Sequence, residues 1–126
     1  MIKRARVIVQ EYWELMATND FESVGSVLSD DFVLEWPQSK ERIRGRINFA
    51  AMNAEYPAHG AWEFTINRLV EEGREAVTDV SVTDGVQQAR VISFFTIRGG
   101  KIAKLVEYWP DPFDAHDNRK HLVEKM

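Results

Sequence analysis

Apolar residues recur at helical spacing near the start of the chain, from Lys3 to about Thr18. The residues that share this spacing are Ile8, Tyr12, Leu15 and Met16. Because steps of three or four residues return to one side of a helix, the pattern predicts a first helix with an apolar face. A second, short helix is predicted after a cap at Asn19 or Asp20, and it ends at 29–31.

The pattern then changes to alternation. A strand-like run at 32–36 stops at Pro37, and a third helix is predicted over 47–54. Four longer runs follow in which apolar and polar residues alternate, roughly 61–71, 75–83, 87–97 and 101–109. The pairs that separate them are typical of hairpin turns: Glu72-Gly73, Asp84-Gly85 and Gly99-Gly100. The second half of the chain is therefore predicted to be an antiparallel meander.

Helices followed by hairpins predict an α+β fold, with helices on one face of a curved antiparallel sheet. The run 91–95 is apolar at both parities, so the opposite sheet face also needs a cover. A second copy of the chain is the simplest cover, and we expect a homodimer through the sheet. The polar tail, 110–126, is expected to be a short docking helix or a frayed end.

Composition narrows the class of function. The chain has 126 residues, of which 44% are hydrophobic, enough for a single domain with a sizeable core. The formal net charge is −4 and no basic cluster is interleaved with aromatic residues, which disfavours nucleic-acid binding. No apolar run reaches the roughly 20 residues that span a bilayer. We therefore expect a cytoplasmic protein that binds neither nucleic acid nor membrane.

Metal and cofactor motifs are not apparent. The chain has no cysteine, which excludes disulfides, thiolate catalysis and Cys-based zinc sites. His59, His116 and His121 lack the spacing of metal ligands, and no phosphate-binding glycine motif is found. We expect no metal and no cofactor. The charged segment 40–46 is interpreted as a solvated loop, or as three arginines that attract an anionic ligand to a nearby opening.

The last alternating run places a carboxylate between apolar neighbours. Leu105, Glu107 and Trp109 have the same parity and so share one face of a strand. A carboxylate between an aliphatic side chain and an indole indicates that this face is enclosed rather than wet. The run therefore predicts a cavity for a small molecule.

Six short motifs along the chain carry a resemblance to a known family. They are Tyr12-Trp13-Glu14-Leu15, Ser29-Asp30-Asp31-Phe32, Trp36-Pro37, Gly45-Arg46, Gly100-Lys101-Ile102 and Glu107-Tyr108-Trp109-Pro110. This combination resembles the SnoaL-like branch of the nuclear transport factor two-like superfamily. The resemblance implies one domain over 1–126, a cone-shaped curved antiparallel sheet with three N-terminal helices covering its concave face. The superfamily includes ketosteroid isomerases, scytalone dehydratase and polyketide cyclases, and the fold does not select among these activities.

The first 46 residues are similar enough to ketosteroid isomerases for a comparison by position. Tyr12 matches their oxyanion-hole tyrosine, but Trp36 stands where they carry the aspartate base. Ser93 falls at or beside the position of their protonated aspartic acid. An indole cannot abstract a proton, and a serine hydroxyl is a weaker donor than a neutral carboxylic acid. Isomerisation by that set of groups is therefore not expected.

The same comparison directs three strand faces toward the cone interior. They are Val77, Asp79 and Ser81, then Val91, Ser93 and Phe95, then Leu105, Glu107 and Trp109. Two carboxylates, Asp79 and Glu107, then lie near Tyr12, and an apolar setting would raise their pKa values toward neutrality. The alternative for each carboxylate is an ion pair, with Arg90 for Asp79 and with Arg90, Arg98 or Lys104 for Glu107.

The predicted site therefore has three catalytic candidates, Tyr12, Asp79 and Glu107. The candidates for ligand binding are Trp36, His59, Ser93, Phe95, Leu105 and Trp109, with His59 either in a lid over the cone or plainly exposed. The expected ligand is a small hydrophobic or aromatic molecule. Two functions stay open: isomerase, cyclase or dehydratase chemistry on a carbonyl compound, and a non-catalytic ligand-binding or protein-interaction module, the latter with aromatic side chains plugging the cone.

Overall fold

The computed structural model describes residues 3–126. Within that range the α-helices are α1 (Ala5–Ala17) and α2 (Gly45–Glu55). The strands are β1 (Leu28–Trp36), β2 (Glu41–Arg44), β3 (Glu63–Glu72), β4 (Glu75–Thr83), β5 (Gln88–Arg98) and β6 (Lys101–Tyr108). Two 3₁₀ helices cover Ser23–Val27 and Asp117–Leu122. The four strands of the hairpin series end within two residues of the predicted positions.

All six strands form one sheet in the order β2-β1-β6-β5-β4-β3. β1 and β6 are parallel, and every other neighbouring pair is antiparallel. β1 and β6 are far apart in the chain, so no hairpin turn forces them to be antiparallel. α1 packs against β3 and β4, and α2 packs against β1. The α+β prediction, with helices on one face of a curved sheet, is confirmed, and the sheet is mixed rather than wholly antiparallel.

Two local predictions differ from the structure. The second helix is a single 3₁₀ segment, and Leu28, assigned to that helix, already belongs to β1 and is fully buried. The segment 40–46 is not a loop, because residues 41–44 form the edge strand β2, paired from Val33 opposite Arg44 to Trp36 opposite Glu41. The charged side chains of β2 give no alternation of apolar residues, so the strand was not predicted. Charged residues are common on edge strands, where they prevent aggregation.

The core lies between the helices and the inner face of the sheet. Its largest fully buried side chains are Tyr12, Phe32, Phe49 and Phe95. Tyr12 meets Phe95 edge-on with ring centroids 5.2 Å apart. Leu105 on β6 is also fully buried. By contrast, the tail from 110 onward contains only exposed residues, so its 3₁₀ helix does not dock on the domain.

One predicted strand face is wrong. The β4–β5 hairpin pairs Thr83 with Gln88, which places odd-numbered residues of β5 opposite even-numbered residues of β4. Thr78 therefore shares the inner face with Ser93, and its hydroxyl accepts a hydrogen bond from the Trp13 indole at 3.2 Å. The set Val77, Asp79 and Ser81 lies on the outer face instead. Alternation alone could not reveal this, because the turn length sets the register between strands.

Candidate functional site

A cavity of about 450 Å³ lies between the helices and the inner face of the sheet. Eight aromatic side chains line it: Tyr12, Trp13, Trp36, Phe49, Tyr56, Trp62, Phe64 and Trp109. A smaller set of polar residues joins them: Gln38, Ser39, Asn53, Gln87, Gln88, Glu107 and Asp111. An enclosed apolar surface with a few polar groups is the usual form of a small-molecule site. All four tryptophans of the chain lie on this surface.

Glu107 is the buried acid of the cavity. It lies on β6 directly opposite Ser93 of β5, and only 5% of its surface is exposed. The indole Nε1 of Trp36 donates a hydrogen bond to Oε1 at 3.2 Å. The Ser93 hydroxyl donates to Oε2, also at 3.2 Å. Neutral donors thus hold both carboxyl oxygens.

The ion pairs considered for Glu107 are not formed. Arg90 binds Asp79, Arg98 binds Asp31, and Lys104 binds Glu35 at 3.2 Å. No Lys, Arg or His within residues 3–126 lies within salt-bridge distance of Glu107. Burial raises the pKa of Glu107, and this effect outweighs hydrogen bonds from Trp36, Ser93 and Trp109 that act in the opposite direction. Glu107 is therefore an acid whose neutral form is favoured by its surroundings.

Tyr12 brings a second polar group to the same cavity. Its ring is fixed in the core by Trp13 and Phe95, at centroid distances of 4.9 Å and 5.2 Å. Its hydroxyl makes no hydrogen bond to any residue in the described range. Burial, and then the nearby charge of Glu107, raise the pKa of Tyr12 well above its usual value. The hydroxyl is therefore a neutral donor that can serve a bound molecule.

The third catalytic candidate is not in the cavity. Asp79 lies on the outer sheet face, where Arg90 donates to Oδ1 through Nε and to Oδ2 through a terminal nitrogen, both at 2.6 Å. Arg68 and Asn67 make longer contacts of 3.5 Å and 3.4 Å to the same carboxylate. The Arg90 hydrogen bond is the main cause that lowers the pKa of Asp79 to about 2. Asp79 is thus the ionised half of an ion pair, the alternative that the sequence left open.

The six candidates for ligand binding separate into three groups. Trp36 and Trp109 line the cavity. Ser93, Phe95 and Leu105 are buried behind that surface, with Ser93 acting through its bond to Glu107. His59 is exposed and does not line the cavity.

His59 instead lies in the loop after α2, which hydrogen bonds connect to the turn between β4 and β5. The carboxylate of Asp84 accepts hydrogen bonds from the backbone N–H groups of His59 at 2.8 Å and Gln87 at 2.7 Å. It also accepts from the Val86 backbone at 2.9 Å and from the Gln87 side chain at 2.8 Å. These bonds, led by that from His59, hold the pKa of Asp84 far below its usual range. Asp84 therefore connects the loop after α2 to the turn before β5. Gln87, one of its hydrogen-bond donors, also lines the cavity.

Several lining residues escaped prediction. Phe49, Met52 and Asn53 lie on α2 at intervals of three and four, so helical spacing could have placed them on one face. Trp62 and Phe64 alternate at the start of β3 and could have been read as one strand face. The positions that the family resemblance directs toward the interior lie mainly on β4, β5 and β6, so α2 and β3 were not among them.

Residues 3–126 hold no group of three or more His, Asp or Glu side chains arranged to bind a metal ion. No helix in that part of the chain has the length and apolarity needed to cross a membrane.

Two solved structures are similar to this chain over nearly its whole length. A solved structure from Kribbella flavida DSM 17836, provisionally named a ketosteroid isomerase, is 30% identical and superposes with a TM-score of 0.89 over 97% of this chain and 89% of that one. An NTF-2 like protein of unknown function from Burkholderia xenovorans LB400 is also 30% identical, with a TM-score of 0.80 over 97% and 94% of the two chains. No curated protein matches the chain.

A more distant structure shows the fold alone. It comes from Jannaschia sp. CCS1, is provisionally named a SnoaL-like polyketide cyclase, and is 14% identical with a TM-score of 0.70 over 83% and 84% of the chains. The family model of the SnoaL-like domain matches residues 9–105, which span α1 through most of β6. The resemblance drawn from the motifs is confirmed, and the chain belongs to the SnoaL-like domain family.

Proposed function

We propose that the cavity binds a small apolar or aromatic molecule that carries a carbonyl group, and that Glu107 exchanges a proton with it. Tyr12 donates a hydrogen bond to the carbonyl oxygen in this proposal. The observation that carries it is the presence of one buried acid and one unpaired tyrosine hydroxyl in the same aromatic cavity. The reaction class is isomerisation, cyclisation or dehydration without a cofactor.

Glu107 has the properties that proton exchange requires. Burial moves its pKa upward, toward the range where a carboxyl group both accepts and returns protons near neutral pH. Trp36 and Ser93 fix its orientation through one hydrogen bond to each oxygen. Trp36, which the resemblance to ketosteroid isomerases places at the position of their aspartate base, has no basic atom. Among the described residues that line the cavity, Glu107 is the one buried acid.

The proton balance of the proposed step is simple. The ionised Glu107 removes a proton from the carbon next to the carbonyl group. The electron pair of the broken C–H bond forms a C=C bond, and the π electron pair of the carbonyl group moves to its oxygen. The Tyr12 hydroxyl donates a hydrogen bond to the resulting oxyanion. In isomerisation, Glu107 then returns the proton to another carbon of the conjugated system. In cyclisation, the enolate attacks a second carbonyl group and Glu107 protonates the alkoxide that forms. In dehydration, the enolate expels a hydroxyl group, which leaves as water with the proton from Glu107.

Non-catalytic binding is the second candidate function. It is favoured by the position of Asp79, because the cavity then contains a single buried carboxylate in place of the two that were expected. A cavity of about 450 Å³ argues against the protein-interaction module, which requires a cone plugged by its own aromatic side chains.

Tryptophan fluorescence tests binding directly, since all four tryptophans line the cavity. We expect saturable quenching by one chemical class in a library of aromatic and terpenoid ketones, lactones and epoxides. Tyr12→Phe should weaken binding of that class. Tyr56→Phe, which removes another cavity-lining tyrosine hydroxyl, is the matched control and should bind as the wild type does. No quenching across the library would overturn the proposal.

Proton exchange separates catalysis from binding. For a ketone that binds, wild-type protein in D₂O should exchange the protons next to the carbonyl group, as measured by NMR, and Glu107→Gln should not. Binding without exchange by the wild type would establish the non-catalytic function. Equal exchange by both proteins would remove Glu107 from the mechanism.

We also propose a homodimer through the outer face of the sheet. An apolar row crosses four strands at one register, with Val70, Val77, Phe94 and Val106 paired in sequence. Phe94 and Tyr108 are 44% and 39% exposed and contact each other edge-on at 6.0 Å. A continuous apolar row on a sheet face is typical of a surface that a second subunit covers.

A further inference from the structure

The ionisable groups on the cavity wall include acids but no bases. In the part of the chain that the structure describes, the lining contains two carboxyl groups, Glu107 and Asp111, and no Lys, Arg or His. The rest of the lining is aromatic, aliphatic or neutral polar. An anionic molecule would find no opposite charge on this surface, whereas a cationic one would find two.

The arginines that were considered for anion binding do not serve the cavity. Arg42 pairs with Glu35 at 2.6 Å. Arg46 contacts Asp30, and its Nε donates to the backbone carbonyl of Leu28 at 3.2 Å. None of the three arginines, Arg42, Arg44 and Arg46, lies on the cavity wall. The anionic alternative therefore has no support in the positions of these residues.

Glu107 differs from Asp79, the other buried carboxylate within a strand, in its partners. Buried carboxylates are ordinarily paired with a cation or kept neutral, because removing an isolated charge from water is costly. Asp79, the other acid in a strand with little exposure, has its cation in Arg90 at 2.6 Å. Glu107 has only neutral donors among residues 3–126. A bound molecule is the remaining source of a cation for this group.

The aromatic wall is suited to such a cation. Indole and phenol rings attract ammonium groups to their faces, most strongly when water is excluded. We propose that the molecule bound in the cavity carries a basic amine, whose ammonium group lies against the aromatic wall and pairs with Glu107. This inference rests on the proposed function in that it assumes ligand binding in the same cavity, and it adds the charge class of the ligand.

The pairing has a consequence for the protons. A basic amine arrives protonated at neutral pH, and its charge favours the ionised form of Glu107. At a pH below the folded-state pKa of Glu107, amine binding therefore releases the Glu107 proton to solvent, whereas a neutral ketone does not. The ionised carboxylate is also the form that the proposed proton exchange requires.

The test compares N,N-dimethylbenzylamine with isobutylbenzene, which has the same shape without the charge, and with acetophenone as a neutral ketone. Fluorescence titration should show binding of the amine at least about tenfold tighter than that of isobutylbenzene, the effect of a desolvated cation–π contact plus the ion pair. Glu107→Gln should remove most of this preference, as judged by its binding of the two probes. Asp114→Asn should retain the preference, since Asp114 is exposed in the tail and does not line the cavity.

Infrared difference spectra of the wild type provide a second measurement if Glu107→Gln does not fold. The spectra are recorded at a pH where the free protein shows the C=O stretching band of a protonated carboxyl group. That band should disappear when the amine binds and should persist with acetophenone. Equal affinity for the amine and isobutylbenzene, or a protonated band that persists with the amine, would overturn this inference. Loss of the preference in Asp111→Asn, a change of the other cavity carboxyl group, but not in Glu107→Gln would overturn it as well. If acetophenone and the library ketones bind in these cases, the proposed function stands; if no probe and no ketone binds, the proposed function itself fails.

Discussion

Trp36 and Glu107 are 71 residues apart in the chain, yet the Trp36 indole donates a hydrogen bond to the Glu107 carboxyl group. The contact follows from the parallel pairing of β1 and β6, in which Leu34 lies opposite Leu105 and Glu35 opposite Val106. The next residue of each strand therefore reaches the same end of the cavity. The Trp36 indole thus orients the buried acid of the cavity.

Replacement of Trp36 by Phe should raise the pKa of Glu107 further. The indole hydrogen bond favours the ionised carboxylate, so its loss leaves burial less opposed. A hydrogen bond to a charged group contributes about 1.5–3 kcal/mol, which corresponds to a change of about one pH unit or more. Titration of ¹³C-labelled glutamate by NMR measures it. Trp62→Phe, which changes another cavity tryptophan, is the control, and an unchanged midpoint in Trp36→Phe would show that the indole does not act on Glu107.

Glu107→Gln should stabilise the fold relative to wild type as pH rises. The pKa of Glu107 is raised in the folded state from an ordinary value of 4.5, so the folded protein retains a proton that the unfolded chain has lost. The wild-type free energy of unfolding therefore falls with pH between these two pKa values, by about 1.4 kcal/mol for each pH unit. The amide variant lacks this decline.

Urea unfolding from pH 4 to pH 8 measures the effect of Glu107→Gln. The variant minus wild-type difference should increase across the lower part of this range and then become constant. Glu14→Gln, which removes an exposed acid of α1, controls for the loss of a negative charge. A difference that stays constant from pH 4 upward would contradict a raised pKa for Glu107.

Alternation in the sequence predicts which residues of a strand share a face, but it does not predict how that strand pairs with its neighbour. Alternation within β6 placed Glu107 between Leu105 and Trp109, and the structure shows that face to be enclosed. Alternation within β4 gave the wrong face for Asp79, because parity inside a strand does not fix its register against the next strand. The turn at 84–87 decides that register.

The contact between Trp36 and Glu107 was beyond any local pattern. It depends on β1 lying beside β6, a pairing between distant segments that no hairpin signal announces. The edge strand β2 was missed for a different reason, since Glu41, Arg42 and Arg44 are exposed and carry no alternation of apolar residues. Fold class and the order of hairpins could thus be predicted, whereas the polar partners within the site required the three-dimensional arrangement.

Asp79→Asn should destabilise the protein without changing ligand binding. The pKa of Asp79 is lowered from 3.8 to about 2 in the folded state, so its contribution to stability is complete above the unfolded value and is lost as pH falls through the folded one. The stability difference between wild type and Asp79→Asn should therefore shrink as pH falls from about 4 to 2. Unfolding curves over that range measure it. Weaker binding of a cavity ligand by Asp79→Asn would restore a role for Asp79 in the site.

Asp84→Ala should loosen the rim of the cavity. The substitution removes the acceptor for the backbone N–H groups of His59, Val86 and Gln87. Hydrogen–deuterium exchange should accelerate at these amides, while amides of α1 exchange as in wild type. Asp114→Ala, a change of an exposed acid in the tail, is the control. Unchanged exchange at His59 and Gln87 would show that other contacts hold the two loops together.

Phe94→Asp should convert the proposed dimer into a monomer. Phe94 lies in the centre of the apolar row on the outer face, beside Val77 and Val106, and a carboxylate there would be buried without a partner in the dimer. Sedimentation velocity should give a dimer for the wild type and a monomer for the variant. Phe113→Asp is a matched control, because Phe113 is 78% exposed in the tail and lies outside the sheet. A wild-type protein that stays monomeric as its concentration rises would show that the outer face is covered by something other than a second copy, or is left in contact with water.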